Sequence, residues 1–152
     1  MGKMDFTIRK AEKCDADDIS KLFVEMLCTI HGTTDEQGYD KGYLDKYFLG
    51  TGDLIFIAES EDRIIGFLSV EVHNDPQDYI YLDDFSVTER YRDLGIGTAL
   101  LRKAEDYASN IGMPVILLHV EKTNTQAFGL YHRLGFHKFR DDGTRILLAK
   151  DL

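Results

Sequence analysis

The apolar positions of this chain change period several times, and each change marks an element. Phe6-Thr7-Ile8-Arg9-Lys10 alternates and predicts a first strand. From Ile19 the period becomes helical. Ile19, Leu22, Phe23, Met26, Leu27 and Ile30 form one stripe, with Asp15 or Asp17 as its cap and Gly32 as its stop. Tyr43, Leu44, Tyr47 and Phe48 predict a short second helix ended by Gly50. Leu54-Ile55-Phe56-Ile57-Ala58 reads as a buried strand, Glu61-Asp62 as a tight turn, and Ile64 to His73 as the hairpin partner. Asn74-Asp75-Pro76 turns the chain into a strand from Tyr79 to Val87. Leu100, Leu101, Ala104, Ala108 and Ile111 then predict a long amphipathic helix, stopped by Gly112 and Pro114. Val115 to Val120 is a continuous apolar run, the mark of a strand covered on both faces. Asn124 or Thr125 caps a helix carrying Ala127, Phe128, Tyr131 and Leu134, and Gly135 ends it. Phe136 to Phe139 starts another strand, Asp142-Gly143 makes a hairpin turn, and Arg145 to Ala149 returns.

The order is therefore β-α-α-β-β-β-α-β-α-β-β. The strand–helix–strand unit over 79–120 implies one right-handed parallel crossover, and the hairpins imply antiparallel pairing elsewhere. The expected class is α/β of the α+β type: a mixed, mostly antiparallel, twisted sheet of about seven strands with helices on both faces. At 152 residues a single domain, 1–152, is expected.

The strand before the long helix breaks its own alternation. Ile80 and Leu82 share one parity, Phe85 and Val87 the other, with Asp83 and Asp84 between them. Side chains alternate with period 2, so the phase shift predicts a β-bulge, which leaves backbone groups unpaired. Immediately after this strand comes Tyr91-Arg92-Asp93-Leu94-Gly95-Ile96-Gly97-Thr98, a glycine-rich turn running into the helix. The free amides of a first helical turn, with the helix dipole behind them, bind anions. No Gly-Lys-Ser/Thr follows, so this is not a P-loop. A dinucleotide fingerprint needs a third glycine and an acid after the next strand, and no third glycine follows Gly95-x-Gly97.

Charge narrows the partners. The net charge of −9 argues against nucleic acid. Residues 1–76 carry −8 of it and residues 77–152 only −1, so the acidic half suits a cationic substrate. No apolar run approaches a membrane span, and MGKMDFTIRK has no apolar signal core. Phe6 stands where a myristoylation motif takes Ser or Thr. A cytoplasmic protein without membrane partners is expected. Cys14 and Cys28 fit no metal-ligand spacing, and no metal is expected.

Two motifs together resemble one family. Arg92-x-x-Gly95-x-Gly97 after the irregular strand is similar to the acyl-CoA-binding signature of the GCN5-related N-acetyltransferases (GNAT). Asn124-x-x-Ala127-x-x-x-Tyr131-x-x-x-Gly135-Phe136 is similar to their second motif. The resemblance is specific over residues 79–137 and looser before them.

The resemblance implies acetyl-CoA as co-substrate, in a cleft where the strand ending at Val87 splays from the strand ending at Val120. The amides of Leu94, Gly95, Ile96, Gly97 and Thr98 would hold the pyrophosphate. Arg92 opens the loop, either adding charge or bracing it, with Asp93 beside it. The pantetheine arm would pair with Phe85, Ser86 and Val87, and the Phe85 N–H would face the thioester carbonyl as an oxyanion donor. Phe128 and Tyr131 would add contacts from the last helix, and Asn124 either touches the cofactor or caps its helix. Tyr131 occupies the family's general-acid position. For the base, His119 stands where similar enzymes acting on ribosomal-protein N-termini carry glutamate, and Asp83, Asp84, Glu71 and His73 are alternatives. Asp83 and Asp84 could instead attract the ammonium. The expected activity is direct acetyl transfer to a primary amine, with a small cationic acceptor first. A peptide or protein amine, or a non-catalytic acyl-CoA sensor, are the alternatives. A homodimer through the last strands is possible on the same analogy.

Overall fold

The computed structural model describes residues 5–152. Seven strands form one sheet: β1 (Thr7–Lys10), β2 (Leu54–Ser60), β3 (Arg63–His73), β4 (Tyr79–Val87), β5 (Val115–Glu121), β6 (His137–Asp142) and β7 (Arg145–Asp151). Their spatial order is β1-β2-β3-β4-β5-β7-β6. Three α-helices accompany them: α1 (Ala16–His31), α2 (Ile96–Asn110) and α3 (Thr125–Arg133). The predicted order of elements is the observed one, with the second helix realised as a 3-10 helix over Tyr43–Phe48. No described helix is long and apolar enough to cross a membrane.

The backbone divides into two compact units, Met1–Val70 with Asp84–Ala104, and Glu71–Asp83 with Glu105–Leu152. In the first, β1 and β3 flank β2, both antiparallel to it. Glu61 and Asp62 close the β2–β3 hairpin with φ of 52° and 61°. Positive φ at both central residues matches the right-handed twist of the flanking strands. Ile19 and Leu22 of α1, Leu44 and Tyr47 of the 3-10 helix, and Ile55, Ile57 and Phe67 of the sheet share one buried cluster.

The entry to α1 differs from expectation. Asp15 is the N-cap residue, yet its side chain caps nothing in α1. Arg9 donates to both of its carboxylate oxygens, at 2.8 and 3.0 Å, and the Glu12 N–H donates to it at 2.8 Å. A charged partner outcompetes the helix amides, and a 3-10 turn over Lys13–Asp15 leads in instead. Gly32 ends α1 as predicted, at φ 65°. Ile30, assigned to the buried stripe, is 63% exposed, because the helix outruns the core in its last turn. Both cysteines are free, Cys14 exposed and Cys28 half-buried.

In the second unit, Ile80, Tyr81 and Leu82 pair parallel with Ile116, Leu117 and Leu118. β5 then pairs antiparallel with β7 from Val115↔Asp151 to Glu121↔Arg145. Burial along β5 alternates: Ile116, Leu118 and Val120 are buried, while Val115, Leu117 and His119 are only half-buried. The apolar run is thus fully covered on one face and partly open on the other, and His119 lies on the open one. The β6–β7 hairpin turns at Gly143-Thr144, one residue later than Asp142-Gly143, because Asp142 stays in the strand opposite Arg145.

Candidate active site

The first unit builds its site from backbone. β4 leaves the sheet at Thr88, whose N–H donates to the Ile65 carbonyl at 2.8 Å. A 3-10 turn over Glu89–Tyr91 follows. Glu25 of α1 grips this exit. Its carboxylate accepts from the Thr88 hydroxyl at 2.8 and 2.9 Å and from the Glu89 N–H at 3.0 Å. The Arg92 Nε donates to the Val87 carbonyl at 2.9 Å and braces the loop.

The chain then doubles back through two left-handed residues, Asp93 at φ 62° and Gly95 at φ 83°. Asp93 tolerates this conformation better than most residues, and Gly95 adopts it freely. Ile96 is 1% exposed and anchors the start of α2, whereas Leu94 is 50% exposed. Gly97 sits in a tight space: a Cβ there would lie 3.0 Å from Phe85 Cζ, so the ring would have to give way. Phe85 and Val87 both lie near Gly97, within 4.0 Å of that position, so their shared parity points at the first turn of α2. Ser86, on the other parity, is buried at 8% exposure. The amides of Ile96, Gly97 and Thr98 are the first-turn donors that a helix leaves without intrahelical partners.

Asp84 has a partner the sequence did not announce. The Tyr39 hydroxyl donates to its Oδ2 at 2.6 Å. Tyr39 is itself stacked between Phe23, at 3.9 Å between ring centroids, and Tyr43, at 4.9 Å. The polar segment after α1 is thereby pinned to β4 through an aromatic stack.

The second unit builds its site from side chains. His119 is held at both ring nitrogens: Nδ1 lies 2.6 Å from the Tyr81 hydroxyl, and Nε2 lies 2.8 Å from Asp142 Oδ2. The Tyr81 phenol is pushed up by burial and then by the charge of Asp83, with Arg145 opposing the rise. Asp142 is held down to about 2 by hydrogen bonds from Arg140 and then His119. The alternative base His73 is turned to its own strand, 3.0 Å from Glu71 and stacked on Tyr79.

α3 opens with the Asn124 side chain accepting from the Ala127 N–H at 3.1 Å, so Asn124 is a helix cap. Phe128 is half-buried on this helix. Tyr131 is 8% exposed and meets Phe136 edge-on, with centroids 5.9 Å apart. Burial pushes its phenol up to about 12, with no charged group adding to the shift.

The structure therefore groups the predicted residues in two sets. Phe85, Val87, Arg92, Gly95 and Gly97 form one set; His119 and Tyr131 belong to the other unit. Neighbouring acids diverge, with Asp84 taken by Tyr39 and Asp83 acting on Tyr81. Glu25, Tyr39, Tyr81 and Asp142 were not predicted. Tyr81 and His119 are 38 positions apart, and His119 and Asp142 are 23 apart, so strand pairing alone brings them together.

The sequence profile of the Acetyltransferase (GNAT) family matches residues 21–136, across both units. The chain belongs to the GNAT family. Among GNAT relatives, a mycothiol acetyltransferase of Thermomonospora curvata is 33% identical over 88 residues, covering 58% of this chain and 29% of that protein. The N-alpha-acetyltransferase 30 of Schizosaccharomyces pombe is 28% identical over 124 residues, covering 80% and 82%. A crystal structure of the PaiA N-acetyltransferase from Thermoplasma acidophilum in complex with coenzyme A superposes with a TM-score of 0.79 at 21% identity, covering 98% of this chain and 100% of that one. That likeness shows the GNAT fold. Several curated relatives are longer than the match: the chain spans 29%, 43% and 61% of three of them.

Proposed function

We propose that the protein transfers the acetyl group of acetyl-CoA to a primary amine by direct attack in a ternary complex. The observation that carries this reading is Tyr131, a buried phenol kept protonated at physiological pH, in the motif position that GNAT enzymes use for the acid. A sensor that only binds acyl-CoA has no use for a sequestered proton donor.

The cofactor's pyrophosphate would take the Leu94–Thr98 amides, with the outward end of Arg92 adding positive charge. Its pantetheine would run along Phe85, Ser86 and Val87. A carbonyl has two lone pairs, so Val87 can serve Arg92 and a ligand together. As the amine nitrogen attacks the thioester carbon, the C–N bond forms and the oxygen becomes an oxyanion facing the Phe85 N–H. Collapse breaks the C–S bond, the CoA thiolate takes the Tyr131 proton, and the nitrogen's surplus proton goes back to the Tyr131 phenolate, leaving a neutral amide. Burial raises a thiolate in the same direction as a phenol, which narrows the gap between donor and acceptor.

The incoming ammonium must first lose a proton. The Tyr81 hydroxyl would accept it while passing its own proton to His119 Nδ1, the contact at 2.6 Å. His119 gains the charge that the ammonium loses.

For the acceptor we favour a small cationic amine. Asp84, held by Tyr39, and Asp83, next to it, supply negative charge, and residues 1–76 carry −8 overall. A peptide amine is the second reading, favoured by the S. pombe relative, whose match covers most of both chains. One experiment ranks these. Calorimetric titration with CoA is followed by thiol release from acetyl-CoA across a panel of polyamines, amino-sugars and short peptides. Binding and turnover on cationic small amines are expected. Turnover on peptides alone selects the second reading, binding without any turnover selects a sensor, and no heat with CoA overturns the whole proposal.

A further inference from the structure

His119 needs a defined tautomer to act as described, and the β6–β7 hairpin carries the group that can set it. β5, β7 and β6 lie side by side, with His119 opposite Leu147 and Leu147 opposite Arg140. Residues directly opposite each other share a face of the sheet, so His119 and Arg140 are on one side. An irregularity between Lys138 and Arg140 sets this phase. Asp142, two residues on, returns to that same side opposite Arg145. There its Oδ2 meets His119 Nε2 at 2.8 Å. Arg140 fixes the carboxylate from the far side, with Nε on Oδ1 at 2.7 Å and Nη2 on Oδ2 at 3.2 Å. The turn itself is closed by the Gly143 N–H donating to Asp141 Oδ1 at 3.0 Å.

We propose that Asp142 is a positioning residue that holds His119 in its Nε2–H tautomer, leaving Nδ1 bare toward Tyr81. This rests on the acetyl-transfer reading above and adds a residue that reading does not use. An ionised carboxylate only accepts hydrogen bonds, so the Nε2 contact places the ring proton there. Nδ1 then presents a lone pair, which accepts the Tyr81 hydroxyl. The reverse tautomer would donate from Nδ1 and could take no proton from Tyr81. When the relay fires, the imidazolium carries protons on both nitrogens, and Asp142 lies against the positive charge. The other charged groups around the relay are Arg140 and Arg145, with Asp83 and Glu71 acting on Tyr81. Because Arg140 keeps Asp142 ionised down to about pH 2, the hold on His119 persists throughout the range in which imidazole titrates.

The test reads the ring directly in the full chain labelled with ¹⁵N-histidine. In the wild type, His119 is expected to show a protonated Nε2 and an unprotonated Nδ1. Asp142→Ala should mix the two tautomers, and Asp142→Asn, whose amide can donate, should favour Nδ1–H. On an amine turned over by the wild type, both should lower kcat about 10²-fold with KM for acetyl-CoA unchanged. Asp142→Glu should restore much of both signals. A wild-type ring protonated at Nδ1 overturns the proposal, as does a tautomer or a kcat that either substitution leaves in place. The ring spectrum needs no substrate. If no amine is turned over, acetyl transfer fails as a reading while the spectrum still decides whether Asp142 sets the tautomer.

Discussion

The Arg92–Thr98 loop and the His119 cluster are built from different materials. In the loop, amides and a helix end are the proposed ligand contacts, and side chains mostly brace: Arg92 on the Val87 carbonyl, Ile96 in the core, Phe85 under Gly97. In the cluster the backbone only sets positions, and the side chains of Tyr81, His119 and Asp142, with Tyr131 in the same unit, are the groups proposed to carry the chemistry. A backbone site is specified by local conformation, so its determinants are consecutive in sequence. A side-chain site is specified by which strands are neighbours, so its determinants are scattered. The loop should therefore be sensitive to added volume and the cluster to lost functional groups.

The sharpest way to separate the two is to remove one oxygen atom. Tyr131→Phe is expected to lower kcat by about 10²–10³-fold while the Kd for CoA, measured by calorimetry, stays within about twofold. An unchanged kcat takes Tyr131 out of the mechanism and erases the division of labour. A smaller effect of the opposite kind is expected from Gly97→Val. The new side chain must displace the Phe85 ring that would lie 3.0 Å away, and the first-turn amides shift with it. The Kd for CoA should rise about tenfold, equal to about 1.4 kcal/mol, with far less effect on kcat at saturation. If Kd is unchanged, the pyrophosphate is held elsewhere.

The smallest expected effect lies outside both sites and serves as their control. Arg9 holds the Asp15 carboxyl below its ordinary range. A group whose folded pKa is depressed adds stability above its unfolded pKa near 3.9 and loses it as pH falls through the folded value. Asp15→Asn should thus cost about 1 kcal/mol at pH 7, half-exposed Arg9 limiting the figure. In thermal melts the two proteins should converge as pH drops below the carboxylate range. A difference that persists in acid would mean that shape, not charge, matters there.

The same contrast explains what the sequence made legible. Gly95 and Gly112 announce their elements because positive φ leaves few residue choices. β4 runs from Tyr79 to Val87 as predicted, and α2 ends at Asn110, two residues before Gly112. The Tyr81–His119–Asp142 contacts leave no local trace, since β6 reaches β5 only through β7. Asp15 misled for another reason: an acid before a helix suggests a cap, but the 3-10 turn over Lys13–Asp15 brings its carboxylate back to Arg9, six residues earlier. Asn124, with no cation competing for it, caps α3 as its position suggests.

Glu25 has one more consequence. Its contacts with Thr88 and Glu89 join segments 63 and 64 residues apart and satisfy a hydroxyl and an amide at a chain reversal. Closing so long a loop carries a fixed entropic penalty however the ends are fastened, and most of it is already met by the neighbouring sheet. The carboxylate therefore acts less as a source of net stability than as a coupling between two opening events. α1 cannot swing away without releasing the exit of β4, so the two belong to one cooperative unit of local unfolding. In hydrogen exchange, the Glu89 amide would then report on the health of the helix that carries Glu25, 64 residues before it.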